Sequence, residues 1–514
     1  MKRASVLILF LFYIALGATS VSALTDNAAP IFDKDAFTAA AGVQKELLIG
    51  MVDCVAMALK NNTEIQVRKI YPKIEDQNVR IEKSKFEPNL SFDLSTGNND
   101  DLSPLTLTGV NPTKTRTNIF DFGYDEKFVT GTTVSLDFEN TRVSSNSLID
   151  TYNPYFDSEA SVTITQPLLK GFGIIVNKAG FLIAKNNKLK SDQNLMNEMI
   201  NVLTEVKKKY YGFQYTQEQY KVALASLERI KDLHDINKEK YLKGLASNVD
   251  LLGSESELAQ TEEGVLAAEE SMMAAEDNLK FITNLIDDVE LWNAKIVLLD
   301  KLAYEKQGVD LISSIEKAFE YRPDYEAAKI ELKNKDIFVI FYKNNVLPQL
   351  DLTGMYGFNG LGKEFSKDMG TMGSGGYQDW SVGVTFKMPL FSDKERGEYE
   401  KSKLDKVKAL LDFKRLEQKI ILEVRDASRK VDIKYRVLDA STKAKNAEEE
   451  NYAAQETRFR AGLVSTLDMV IYYERVTKSQ VNYVKSVIDY NIAVIELVKA
   501  EGMTLVNEDI KLEE

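Results

Sequence analysis

Two stretches of the chain repeat their apolar positions at steps of three and four. In the first, Met196, Met199, Leu203, Val206, Tyr210 and Phe213 follow one another in this way, and Tyr220, Leu224 and Leu227 continue the stripe. In the second, Leu416, Ile420, Val424, Ala427, Val431, Tyr435 and Leu438 do the same. Both stretches lie where proline is absent, between Pro167 and Pro323 and after Pro389, and both are rich in helix-forming residues. The spacing predicts helices packed lengthwise on one another. One of them, over about 177–243, would be roughly 100 Å long at a rise of about 1.5 Å per residue. Such a stripe is packing surface, and no chemistry is assigned to it.

Two other regions, about 86–170 and 346–391, alternate with a period of two. Trp380, Val382, Val384, Phe386 and Met388 are separated by Ser381, Gly383, Thr385 and Lys387. Leu90, Phe92 and Leu94, then Val134, Leu136 and Phe138, then Val162 and Ile164, and finally Leu350 and Leu352 show the same alternation with polar partners. One apolar and one polar face fits either a soluble sheet or a membrane barrel strand.

Internal repetition narrows that choice. Ala58 falls on Ala318, Glu64 on Asp324, Pro88 on Pro348 and Leu90 on Leu350, all at an offset of 260. Gln166-Pro167-Leu168 then matches Met388-Pro389-Leu390 at an offset of 222. Tyr241 to Asp250 (YLKGLASNVD) matches Phe459 to Asp468 (FRAGLVSTLD) at 218. The fall from 260 to 222 places 38 extra residues in the first copy, somewhere in 95–158. Phe120, Phe122, Tyr124 and Phe128 belong to that excess, which reads as an additional hairpin or a surface loop. Each copy therefore reads helix, strand, loop, strand, long helix, tight turn, helix. At the turns, Gly244 and Gly462 suit the left-handed position that ends a helix. Ser247 and Ser465 can cap the next helix, and Asp250 and Asp468 sit in its first turn, where the helix dipole favours a carboxylate.

Composition removes whole classes of function. The chain has 514 residues, 44% hydrophobic and 28% charged, which excludes wholesale disorder and collagen-like structure. Cys54 is the only cysteine and His234 the only histidine, so disulfide scaffolds, thiolate zinc sites and multi-histidine centres are out. Cys54 reads as a small residue on a buried helix face, and His234 as a packed or solvated helix residue. No catalytic constellation, metal site or cofactor is expected. A net charge of −13 without a basic cluster argues against nucleic acid. Residues 1–23 read as a secretory signal: Lys2 and Arg3, the apolar run Val6 to Leu16, and the small residues of Val21-Ser22-Ala23. No later apolar run reaches the length of about 18 residues that a spanning helix requires.

The doubled architecture, the strand-ending Gln166-Pro167-Leu168-Leu169-Lys170-Gly171-Phe172-Gly173 and the paired tips around Gly244 and Gly462 together resemble the TolC-like outer membrane efflux proteins. The resemblance spans about Leu47 to Gly502. It implies an α+β membrane protein of the cell outer membrane: a homotrimer sharing one β-barrel, continued across the periplasm by a long α-helical barrel, with two structural repeats in each chain. The repeats would cover 47–300 and 301–503, after the signal and an N-terminal segment at 24–46 and before a tail at 504–514. It also implies a passive exit duct for drugs, metal ions or proteins, working with a periplasmic adaptor and an inner-membrane transporter of RND or ABC type. One chain offers four to six strands, fewer than the eight or so of the smallest usual membrane barrel, so pooling three chains also solves the closure problem.

On this resemblance, Asp468, Ile471 and Asp250 are the expected aperture residues. Asp468 matches a position where some members place an aspartate ring. Ile471 stands where some place a second ring, and Val464 and Phe459 stand where some place a polar latch, so apolar gating is expected. Gly244, Leu245, Ser247, Gly462, Leu463, Val464 and Ser465 are the expected adaptor-docking tips, and Trp380, Val382, Val384 and Phe386 the lipid-facing strand residues. The competing reading is a soluble periplasmic coiled-coil adaptor or structural protein.

Overall fold

The computed structural model describes residues 46–102, 109–285 and 289–510. The expected signal, nearly all of the 24–46 segment and the last four residues of the tail lie outside the described residues. The chain divides into two compact units, each assembled from three separate stretches.

One unit, built from Glu64–Asn201, Gly308–Asp432 and Val494 onward, holds a single six-stranded sheet. Its strands are β2 (Asn89–Asp101), β3 (Thr113–Lys127), β4 (Thr133–Ser145), β5 (Tyr155–Pro167), β7 (Gln349–Gly362) and β8 (Gln378–Lys387), paired in that order and antiparallel throughout. The 38-residue excess of the first copy is thus an additional hairpin, β3–β4, inserted into the sheet rather than a loop over it. Helix α2 (Thr63–Ser84) leads into β2, as α6 (Pro323–Asn345) leads into β7. At the far end of β7, α7 (Phe365–Gly373) folds back onto the sheet. There the buried Asp368 carboxylate accepts hydrogen bonds from Ser158 Oγ at 2.5 Å and Asn140 Nδ2 at 3.3 Å. The Gln166–Gly173 motif ends β5 and turns the chain. Gly171 and Gly173 have φ of 84° and 106°, and Asn344 holds the turn, accepting from Gly171 N at 2.7 Å and donating to Leu169 O at 3.1 Å.

The second unit comprises the chain up to Thr63, Val202–Gln307 and Ile433–Ala493. It contains α1 (Met51–Asn61) and the parallel pair β1 (Glu46–Ile49) and β6 (Lys295–Leu298), strands of four residues that hydrophobic alternation does not reveal. A carboxylate organises this region. Asp300 Oδ2 accepts from the Tyr210 hydroxyl at 2.6 Å and Met51 N at 2.8 Å, while Asp300 O accepts from Gln214 Nε2 at 2.9 Å. Cys54 is fully buried here. Burial, with Asp53 and Asp300 nearby, pushes its thiol up to about 12, which makes it an inert packing group.

The long helices are α3 (Ala179–Leu242), α4 (Asn248–Ile282), α8 (Asp393–Arg460) and α9 (Thr466–Ala500); α5 (Leu311–Tyr321) precedes α6. Along α8, Ile420, Val424, Ala427, Val431 and Leu438 are buried as the spacing predicts. Along α3 the stripe holds from Met199 to Phe213 but then moves. Leu224 is 41% exposed, and Ile230 and Leu233 take its place in the core. A straight helix drifts by about 20° per heptad against a strict seven-residue repeat, so a fixed face cannot stay buried over 64 residues. The repeat is visible in packing: Ala58 on α1 and Ala318 on α5 are both wholly buried.

Candidate functional site: the strand wall and the hairpin tips

Register carries the alternation of single strands into two opposed faces. On one face, Phe92 stands beside Phe122, which stands beside Phe138. Leu90, Tyr124, Leu136, Val162, Tyr356 and Trp380 likewise form a row across all six strands. Val382, Val384 and Phe386 on β8 lie opposite Gly354, Leu352 and Leu350. These side chains face outward from the unit, with Trp380 73% and Leu94 75% exposed. The other face carries Ser91, Asp93, Asp121, Asp137, Glu139, Glu159, Ser161, Thr163, Thr353, Asp379 and Thr385. The outer strands β2 and β8 each have one edge without a partner strand among the described residues. An exposed apolar face and two open edges are incompatible with a solitary soluble sheet.

The two hairpin tips share one geometry. Gly244 (φ 70°) and Gly462 (φ 78°) take the left-handed conformation, and a Cβ added at either would meet no neighbour within 4 Å. Ser247 Oγ accepts from Asp250 N at 3.2 Å, and Asp250 Oδ2 accepts from Ser247 N at 3.1 Å and Ser247 Oγ at 2.7 Å. The hydrogen bonds from the Ser247 hydroxyl and amide hold the Asp250 carboxyl below the usual aspartate range. In the second tip, Ser465 Oγ lies 3.2 Å from Asp468 N and 2.7 Å from Asp468 Oδ2. Ser247 and Ser465 thus cap their helices; Asp250 completes a reciprocal capping box with the Ser247 amide, whereas the Asp468 carboxylate accepts the Ser465 hydroxyl and its side chain remains exposed. Ile471 is 40% exposed. Leu245, Leu463, Gly244, Gly462, Ser247 and Ser465 are exposed as expected, but Val464 is not free: it is half-buried against the cluster beneath the tip. Leu242, Val249 and Leu467 are exposed beside them, an apolar rim that sequence reasoning missed. Their positions, Leu242 just before the first turn and Val249 and Leu467 immediately before Asp250 and Asp468, were the available signal.

Beneath the tips the two hairpins meet. Ile230 and Leu233 of α3 pack with Phe459 of α8 and Met469 and Tyr473 of α9 in a buried cluster. Lys240 Nζ sits 4.1 Å from the centre of the Phe459 ring. Arg229 donates to Thr477 Oγ1 at 3.2 Å and Thr466 Oγ1 to the Asn237 side-chain oxygen at 3.1 Å. Phe459 is thus a buried hydrophobic anchor of this cluster. His234 is half-buried, with Nδ1 3.4 Å from Ser254 Oγ. Among the described residues, no group of three or more His, Cys, Asp and Glu is placed to hold a metal ion, and no helix is long and apolar enough to cross a membrane.

The family model described as outer membrane efflux protein matches residues 54–285 and 314–503, one segment in each copy. No curated protein sequence matches the chain. Among solved structures, the chain is similar to the CmeC outer membrane channel of Campylobacter jejuni, at 18% identity and a TM-score of 0.64 over 88% of this chain and 85% of that one. It is also similar to the outer-membrane channel OprN, at 16% identity and a TM-score of 0.66 over 88% and 89%. The open state of the MtrE channel of Neisseria gonorrhoeae matches at 16% identity and a TM-score of 0.62 over 88% of both chains.

Proposed function

The chain belongs to the outer membrane efflux protein family and is an outer-membrane efflux channel; from this premise we propose that it is the passive exit duct of a tripartite efflux or type I secretion machine. Membership excludes the competing reading of a soluble adaptor. The fold is the two-repeat one whose copies form an outer-membrane β-barrel continued by a helical barrel.

In this reading three chains pool their sheets edge to edge, the β2 edge of one chain pairing with the β8 edge of the next. The apolar face, including Trp380, Val382, Val384 and Phe386, meets lipid, and the polar face lines the lumen. The long hairpins cross the periplasm, with an N-terminal signal directing export. At the inner end, Gly244, Leu245, Ser247, Gly462, Leu463, Val464 and Ser465 receive a periplasmic adaptor, and an inner-membrane transporter of RND or ABC type delivers the cargo. Asp468, Asp250 and Ile471 border the aperture, whose closed state is held by the apolar cluster around Phe459 and Met469. No catalytic group is involved, since transport here needs only an opening.

The observation that carries the proposal is the exposed, in-register apolar face on a sheet with two open edges. Detergent extraction followed by planar-bilayer recording tests it. A trimer that leaves outer membranes only with detergent and then conducts is expected. A soluble monomer without conductance would overturn the reading.

A further inference from the structure

The two copies of the repeat differ in one part of the wall. The second copy contributes two strands, β7 and β8, and the first contributes four. The additional pair is the β3–β4 hairpin. β2 and β5 flank it and run antiparallel to each other, as β7 and β8 do, so a chain lacking the hairpin would still present two alternating strands able to pair directly. The hairpin is a full member of the wall. β2 is in register with β3 from Asn89–Asp125 to Asp101–Thr113, and β4 with β5 from Thr133–Thr165 to Val143–Tyr155. Its apolar residues, Phe120, Phe122, Tyr124, Val134, Leu136 and Phe138, continue the outward row without a break.

The hairpin's opposite face carries four carboxylates: Asp121, Asp125, Asp137 and Glu139. Register sets Asp93, Asp121, Glu139 and Glu159 side by side on four successive strands. Like charges directly opposite each other on neighbouring strands destabilise a sheet. This ladder therefore works against folding, and a local rule broken without a folding gain marks a functional surface. Among the described strand residues on that face, Lys127 and Lys387 are the only cations, and both stand at strand ends that lead away from the carboxylate ladder.

We propose that the β3–β4 hairpin sets both the width and the charge preference of the pore: three chains close an eighteen-stranded barrel, six strands from each, whose acidic wall passes bulky cationic solutes in preference to anions. The proposal rests on the trimeric barrel described above. Barrel diameter grows with strand number. With strands about 4.8 Å apart and tilted by about 40°, eighteen strands give roughly 36 Å between backbones and twelve roughly 24 Å. Barrels of about this larger size leave an aqueous channel that side chains do not fill. Within it, carboxylates facing the lumen raise the local concentration of cations and repel anions.

Two measurements on the full-length, detergent-extracted trimer test the proposal. The first is the number of strands in the barrel by cryo-electron microscopy. Eighteen is the expected result. Twelve strands in an intact trimeric barrel, with the hairpin outside the wall, would overturn the proposal while leaving the channel reading untouched, whereas the absence of any trimeric barrel would overturn both. The second is the reversal potential in a salt gradient, with Asp250→Asn and Asp468→Asn in both compared chains so that the tip carboxylates do not contribute. Replacing Asp121, Asp125 and Asp137 by Asn and Glu139 by Gln keeps size and strand pairing, and should lower the cation-to-anion permeability ratio at least about twofold. An unchanged ratio would refute the assigned charge preference.

Discussion

The Thr466 hydroxyl lies 3.1 Å from the side-chain oxygen of Asn237 and joins the tip of the second hairpin to the first. Asn237 is 1% exposed, and its Nδ2 has no hydrogen-bond partner. A buried amide satisfied on one side only is a weak point in an otherwise apolar contact. Asn237→Ala removes the bond, at a cost of about 1 kcal/mol because the half-buried Thr466 hydroxyl can turn to water. Amide exchange at the tip should accelerate and single-channel conductance should rise. Conductance equal to that of the parent would mean that this contact does not hold the aperture closed.

Acid sensitivity should reside in a different cluster. Arg322 donates to Asp324 Oδ2 at 2.8 Å and Glu423 Oε2 at 2.7 Å, and reaches the carbonyl of Ala500 at 3.3 Å. Burial pushes the Asp324 carboxyl up, but the hydrogen bond and charge of Arg322 outweigh it and hold the carboxyl below its ordinary value. A folded-state pKa below the unfolded one contributes stability above the unfolded value of about 3.9, and that contribution is lost as pH falls through the folded value. Arg322→Met strands both acids and should cost about 3 kcal/mol at pH 7, the lower end for a broken buried pair because Glu423 is partly solvated. Urea unfolding at pH 7 and pH 3 measures both effects. The variant should lose less on acidification than the parent, and an equal loss would remove Asp324 from the account.

Docking at the tips predicts a separation of assembly from transport. Gly244→Glu and Gly462→Glu each place a bulky charge where the backbone is left-handed, at a strain of about 1 kcal/mol, in space free of neighbours. Transport should fail while the trimer persists on size-exclusion chromatography. Normal transport by both variants would sink the docking assignment.

Asp468 offers a test of the aperture itself. Its carboxylate accepts the hydroxyl of Ser465, whose Oγ caps α9 through Asp468 N, so Asp468→Ala alone confounds the charge with support of the helix start. Ser465→Ala removes the cap, at about 1 kcal/mol, and keeps the charge. If three copies converge at the axis, cation selectivity and divalent block should fall in Asp468→Ala and persist in Ser465→Ala. Equal behaviour of the two variants would leave Asp468 with a role at the helix start only.

Much of this was legible in the sequence. The turn residues Gly244, Ser247 and Asp250 and their counterparts Gly462, Ser465 and Asp468 act locally, within a stretch of seven residues, and their geometry follows from residue type. The buried stripe from Ile420 to Leu438 follows from the helical period, and the row from Trp380 to Phe386 from the strand period. The position of Val464 was not legible, because the cluster it packs against draws on α3, more than 200 residues away. Nor was the Asp300 node, whose partners Met51 and Tyr210 come from distant helices.

By itself, the sequence determined the long helices, the strands with clear alternation, the two copies, the turn chemistry and the 38-residue difference between copies, since each depends on neighbours in the chain or on self-comparison. Only the tertiary structure decided that the extra residues enter the sheet as β3 and β4, that Asp93, Asp121, Glu139 and Glu159 stand in one row, and that the hairpins meet through Asn237, Phe459 and Met469. The physical reason is that strand register and interhelical contact are set by pairing between segments remote in sequence, where periodicity shows which face a residue takes but not what it meets there.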